Sequence, residues 1–264
     1  MRDRPARPGI EFGRRGISDV VGYILVFSLV VSVVGIVSVA GFTSLDGVRN
    51  AEQVNNAERA FDVLADNMRD VYAKGAPSRA TEISLSEASL RTTGTVTINV
   101  TARNTTTDEN FTVEKDAQPL VWSGNRDTNL VYSLGATIRQ ESDSGVVLET
   151  GPSRYDTDRA VVQIVQTRAE GRQYGGSTYR VRAVRPSVST VVMVSEDADK
   201  YDNLWVNVTS PRADTWRRHL ERYPDTDCSV VTLPGDETET ATCKFSDRDS
   251  VYVTLTRIDV SVGG

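Results

Sequence analysis

One histidine, two cysteines and four lysines are all that this chain of 264 residues holds of three chemically versatile side chains. A structural zinc site needs four nitrogen or sulfur ligands, so Cys228 and Cys243 would need more partners than His219 can supply. Glycine-rich phosphate loops, nucleophile elbows and paired zinc histidines are missing from the text as well. His219 shares a short segment with Trp216, Leu220 and Tyr223 and reads as a packing or partly exposed residue. No catalytic residue, cofactor or metal is expected, and the chain does not read as an enzyme. Basic stretches are scarce too. After residue 19 the chain carries 25 basic against 33 acidic groups, an imbalance that repels polyanions and argues against nucleic acid.

What is present begins with residues 20–45, a run without a single charge. About 20 apolar residues cross a hydrocarbon core as a helix, so this stretch is long enough for one pass. Five arginines precede it (Arg2, Arg4, Arg7, Arg14 and Arg15), which favours a cytoplasmic N-terminus and places the remainder outside the cell. Its length exceeds the 7–15 residues of an export-signal core. A cleaved secretory signal, with Ser38-Val39-Ala40 at its end, is therefore the weaker reading, beside a plain anchor and a stem retained after processing.

The pattern continues past the apolar run. Val54, Ala57, Phe61, Leu64, Met68 and Val71 recur at alternating spacings of three and four, which predicts an amphipathic helix with one narrow apolar stripe. Glu58, Arg59, Asp62, Asp66 and Arg69 keep its other face wet, and Gly75 and Pro77 stop it. Beyond Pro77 the period changes to two. "TVTINVTAR", "NFTV", "NLVYSLGATIRQ", "AVVQIVQTR", "TYRVRAV", "VSTVVMVS", "LWVNVTS" and "VYVTLTRIDVSV" read as strands, and one-sided alternation implies antiparallel sheets with one buried face. A short helix interrupts them, with Ser210 as its N-cap and Pro211 in its first turn.

The outside location agrees with two further signals. Cys228 and Cys243 bracket two strand-like runs around Pro234-Gly235-Asp236, a spacing suited to a hairpin disulfide, with free thiols as the alternative. Four N-glycosylation sequons begin at Asn99, Asn104, Asn110 and Asn207, and Asn99, Asn110 and Asn207 fall on the polar side of their strands. The pairs Asp156–Asp158, Asp225–Asp227 and Asp247–Asp249 lack the spacing of a known calcium loop.

"RRG" followed by "ISDVVGYILVFSLVVSVVGIV" resembles the class III signal of archaeal type IV pilins and pilin-like proteins. The resemblance implies that a prepilin peptidase cuts between Gly16 and Ile17, after Arg14 and Arg15. The new amino end would then lie near Asp19, with the apolar helix kept as a stem. Bacterial pilins place glutamate at the fifth mature position, where this chain has Val21. The text "RNAEQVNNAERAFDVLADN" and "GAPSRATEISL" looks like an uncharacterised family of haloarchaeal pilin-like membrane proteins. Acid excess with scarce lysine resembles the composition of salt-loving archaea, where concentrated salt screens self-repulsion.

The expected fold is α+β: a long N-terminal transmembrane and amphipathic helix, then a mainly antiparallel, β-rich, pilin-like ectodomain. Its parts are a basic leader (1–16), a transmembrane helix (17–45), an amphipathic continuation (46–76) and an extracellular β domain (77–264). The resemblance implies a structural or adhesive surface protein whose partners are the membrane, a prepilin peptidase and other pilin-like subunits. The alternative is an anchored binding module, of unidentified ligand, that forms no filament.

Overall fold

A computed structural model describes residues 15–104, 107–124, 127–142, 144–186, 190–196, 203–232, 238–246, 248 and 250–264. One α-helix, Arg15–Tyr72 (α1), runs through the apolar stretch and its amphipathic continuation. The chain divides into two compact units, the first ending at Ala51 and the second comprising Glu52–Gly264. The fold is α+β, with the long helix followed by a mainly antiparallel β-rich domain.

Within the second unit the expected stripe does what its spacing requires. Ala57, Phe61, Leu64, Met68 and Val71 are buried, joined by Ala65, while Val54 is half-buried against the same cluster. Arg59, Asp62 and Asp66 stay exposed. The stripe lies against Ile83, Leu90, Trp122, Leu130, Val181 and Ile258 in one apolar cluster. Polar contacts fix the helix on both sides of that seam. Glu58 pairs with Arg139 at 2.6 Å, Arg69 with Glu149 at 3.1 Å and Asp70 with Arg79 at 2.9 Å. Asn67 Nδ2 donates to Thr81 Oγ1 at 2.8 Å. Such partly exposed pairs stabilise by about 0–1 kcal/mol each, so they set orientation more than they hold the helix down. After Tyr72 the chain turns at Gly75, whose φ of 73° suits a residue without Cβ.

Three sheets form the β domain. The first joins Ser78–Ser84 (β1), Thr178–Val184 (β12), Ser250–Gly263 (β17), Arg159–Ala169 (β10) and Arg154–Tyr155 (β9), with Thr190–Glu196 (β13) also on β17. The second runs Gln173–Gly175 (β11), Ser89–Arg91 (β2), Leu120–Ser123 (β5), Thr128–Ser133 (β6), Ala136–Glu141 (β7) and Ser144–Glu149 (β8). The third is Thr226–Thr232 (β15), Glu239–Phe245 (β16), Asn203–Thr209 (β14), Val96–Arg103 (β3) and Asn110–Ala117 (β4). The 14-residue β17 is long enough to serve two neighbours along one edge, β13 beside residues 251–256 and β12 beside residues 259–263. Its other edge pairs with β10 in parallel, an exception to the antiparallel rule.

Two local expectations need correction. "NLVYSLGATIRQ" is not one strand but the hairpin β6–β7, turned by Leu134 and Gly135 with φ of 50° and 85°. Two successive positive φ values are the signature of a tight hairpin turn that matches strand twist. The pattern hid it because Leu134 is apolar and buried, and so reads as strand. Likewise, the short helix begins later than expected, at Ala213–Leu220 (α2). Ser210 does not cap it but makes a preceding turn, accepting Arg212 N–H on Oγ and Ala213 N–H on its carbonyl.

A second apolar cluster is built from all three sheets and α2, the second sheet contributing Val121, Val131, Ala136 and Ile138. Register explains its order: Cys228, Cys243, Val206, Val100 and Val113 stand side by side across five strands on one face. Tyr155 stacks on Phe245 at 4.4 Å and meets Tyr223 edge-on at 5.0 Å, joining β9, β16 and the segment after α2.

Phe61 is fully buried, so Phe61→Ala should cost about 3–5 kcal/mol. Asp62→Ala on the exposed face should change little. Urea unfolding of the detergent-solubilised full chain, followed by tryptophan fluorescence, checks the contrast.

Candidate functional surfaces: an uncovered apolar helix and a polar sheet face

The first unit exposes what a water-soluble protein buries. Val20, Tyr23, Ile24, Leu25, Phe27, Leu29, Ile36 and Phe42 are each more than half exposed, and no residue of the apolar window is buried. This helix is long and apolar enough to cross a membrane. Exposed apolar surface on this scale marks contact with lipid or protein. The polar atoms within it are handled locally: Ser32 Oγ donates to the Ser28 carbonyl at 2.7 Å, so that hydroxyl needs no water. Around Gly22, Gly35 and Gly41 a Cβ would meet nothing within 4 Å. Arg15, Gly16, Ile17 and Asp19 lie in the opening turns of α1, while Arg14 falls outside the described residues.

The third sheet presents the second surface. Period two sends Val96, Ile98, Val100 and Ala102 inward and leaves Thr97, Asn99 and Thr101 on the opposite face. Register then assembles polar rows: Ser229, Thr242, Asn207, Asn99 and Glu114 in one, and Thr240, Thr209, Thr97 and Asp116 in the next. Cross-strand hydrogen bonds link them. Asn99 Nδ2 donates to Glu114 Oε2 at 3.1 Å, Thr97 to Asp116 at 2.7 Å, and the Thr209 and Thr240 hydroxyls meet at 2.8 Å. Trp205 lies half-buried on the same face, with the Lys244 ammonium 5.6 Å from its ring centre.

The four sequon asparagines therefore occupy unlike places. Asn99 and Asn207 are direct cross-strand neighbours on interior strands, both half-buried. Asn104 is 5% exposed, and its Oδ1 accepts the Thr107 N–H at 2.8 Å. Asn110 opens β4 and is exposed. On the inward side of the sheet, Cys228 and Cys243 are joined with an S–S distance of 2.05 Å, across an antiparallel pair whose register sets them opposite. Pro234-Gly235-Asp236 lies outside the described residues.

The sequence reading missed Arg248, hidden between two aspartates. Its side chain is fully buried. Nη1 donates to the carbonyls of Thr157 and Ser246 at 2.9 and 2.7 Å, and Nη2 to that of Pro224 at 2.8 Å. Asp225 lies 3.8 Å away, and the guanidinium sits over the Phe245 ring. Thr157 separates Asp156 from Asp158, and Pro224 precedes Asp225. The guanidinium thus draws together segments that the sequence showed only as scattered acid pairs. Asp247 and Asp249 lie outside the described residues, and no group of three or more metal-binding side chains gathers among those described.

His219 is buried on α2 beside a 40 Å³ cavity lined also by Ser153, Tyr155, Gln163 and Trp216. Small-molecule sites run to about 300–1,000 Å³, so this space is far below that size. Arg222 Nη2 donates to His219 Nδ1 at 2.5 Å, which requires that nitrogen to be unprotonated. Burial first, and then the Arg222 charge, push the imidazole down to about 4.

Residues 15–261 match the family of unknown function DUF7289, nearly the whole chain, and the protein belongs to that family. No curated protein and no solved structure matches it.

Arg248→Met should destabilise the domain by about 3–5 kcal/mol, because three carbonyls lose a charged donor at once. The drop in urea midpoint measures it. For His219 the sign follows from its lowered folded-state pKa. Between about 6.5 and about 4 the unfolded chain binds a proton that the folded chain refuses, so stability falls as pH falls through that window. His219→Gln should flatten the decline in a series of unfolding curves at stepped pH.

Proposed function

For a member of this family we propose a single-pass, surface-exposed, pilin-like protein with a structural or adhesive role, held in the cell membrane through residues 20–45. The observation that carries the reading is the uncovered apolar surface of α1 over residues 20–42, set against the buried stripe that begins at Ala57. Lipid is the cover for the first, and the β domain is the cover for the second. The arginine-rich leader supports a cytoplasmic N-terminus. The Cys228–Cys243 bridge supports an oxidising location for the domain, since disulfides persist outside the cytosol.

In this reading the leader resembles a class III signal, and a prepilin peptidase cuts between Gly16 and Ile17. The Gly16–Ile17 bond sits in the first turn of α1, so cutting requires that turn to unwind into the protease. Glycine makes the unwinding cheap. The acid excess fits a domain facing concentrated salt. Gly22, Ser28, Ser32, Gly35 and Ser38 let helices approach closely, which suits lateral packing with other pilin-like subunits. The polar face around Trp205 favours a second reading, an anchored binding module that keeps its leader and does not polymerise.

Mass spectrometry of the mature N-terminus separates the two. A chain starting at Ile17 and recovered in filament preparations is the expected result. A chain starting at Met1 or Arg2 and absent from every filament supports the anchored module instead.

A further inference from the structure

We infer that, of the four sequon asparagines, Asn110 alone is open to an N-glycosyltransferase once the domain has folded. The inference rests on the domain lying outside the cell, as proposed above. Transfer joins Asn110 Nδ2 to the anomeric carbon of a lipid-diphosphate-linked oligosaccharide. That carbon's bond to phosphate oxygen breaks, and the lipid diphosphate leaves with the amide proton taken up by base.

The enzyme must grip the asparagine amide and the hydroxyl two residues on, and bend the backbone between them out of any sheet. For Asn99 and Asn207 this is blocked three ways. β3 and β14 are interior strands, so each has a ladder on both sides. Their sequon hydroxyls are engaged: Thr101 Oγ1 donates to Asn99 Oδ1 itself at 3.3 Å, and Thr209 meets Thr240 at 2.8 Å. The two asparagines also stand opposite each other, with Cβ atoms about 4.5–5.5 Å apart in such pairs, so a sugar on one covers the other. Asn207 Oδ1 is already inaccessible to solvent. Asn104 is closed by burial and by its bond to Thr107.

Asn110 differs in strand position and in exposure, and the Thr101–Thr112 hydroxyl contact that its own sequon makes is open to solvent. Asn110 and Thr112 are both exposed on the same face. Among the described residues β4 pairs with β3 alone, and Arg103–Asn110 is the last pair of that ladder. The opposite end of β4 is tied down, with Gln166 Nε2 donating to the Asp116 carbonyl at 2.7 Å and Gln118 N–H to the Thr167 carbonyl at 3.0 Å. Asn104 N–H donates to the Glu109 carbonyl at 2.9 Å just before Asn110, so β4 is held at both ends, but bending its backbone from Asn110 to Thr112 breaks ladder bonds on one side only.

The test is glycopeptide mass spectrometry on the full chain, purified from membranes of cells competent in N-glycosylation, with protease shaving of the same intact cells to locate the domain. The expected result is a glycan on the Asn110 peptide only. Asn110→Gln and Thr112→Ala should each lower the intact mass by that one glycan, while Asn99→Gln and Asn207→Gln leave it unchanged. A surface-located chain with bare Asn110, or with glycan on Asn99, Asn104 or Asn207, overturns the inference and leaves the membrane reading standing. A domain protected from shaving and unmodified overturns both.

Discussion

One helix carries two different demands for cover, and the rest of the molecule follows from how each is met. From Ala57 to Val71 the apolar residues of α1 form a stripe, and the β domain closes over it. From residue 20 to residue 42 the apolar residues go all the way round, and every described side chain there is exposed. A stripe asks for one partner surface; a fully apolar cylinder asks for surroundings that are apolar on every side. The change of pattern along a single continuous helix is thus a change of solvent written in sequence.

The β domain answers its half with division of labour among sheets. The stripe of α1 sits on the first and second sheets, and the third sheet turns its inward face to a separate cluster capped by α2. Segments between strands are pinned by a few strong contacts instead of by bulk burial. Arg248 gathers three carbonyls under the aromatic stack of Tyr155 and Phe245, and the disulfide ties the edge hairpin β15–β16. The outward face of the third sheet takes no part in these contacts, and its threonines and asparagines are tied across the strands to one another and to Glu114 and Asp116.

Periodic features were legible in the sequence. The stripe from Ala57 to Val71 and the alternation in β3 and β14 depend only on residue spacing, and spacing fixes which face is apolar. The cysteine pairing was legible as one of two outcomes because a turn signal lay between the two residues. What spacing cannot carry is register between distant strands. That Asn207 faces Asn99 is set by the β14–β3 ladder, more than a hundred residues apart in sequence. Arg248 was masked by its acidic neighbours, since a charged triplet reads as solvent-facing until long-range contacts bury it. Leu134 misled for the opposite reason: a buried leucine in a turn mimics a strand.

Residues 20–42 should be surrounded by lipid. The native cysteines are paired, so a single cysteine placed at Val31 can carry a nitroxide in the full chain in vesicles. Collisions with oxygen, which concentrates in hydrocarbon, should then far exceed collisions with a water-soluble nickel chelate. A nitroxide at Val31 that meets the nickel chelate as readily as one at Asp62 would contradict the account.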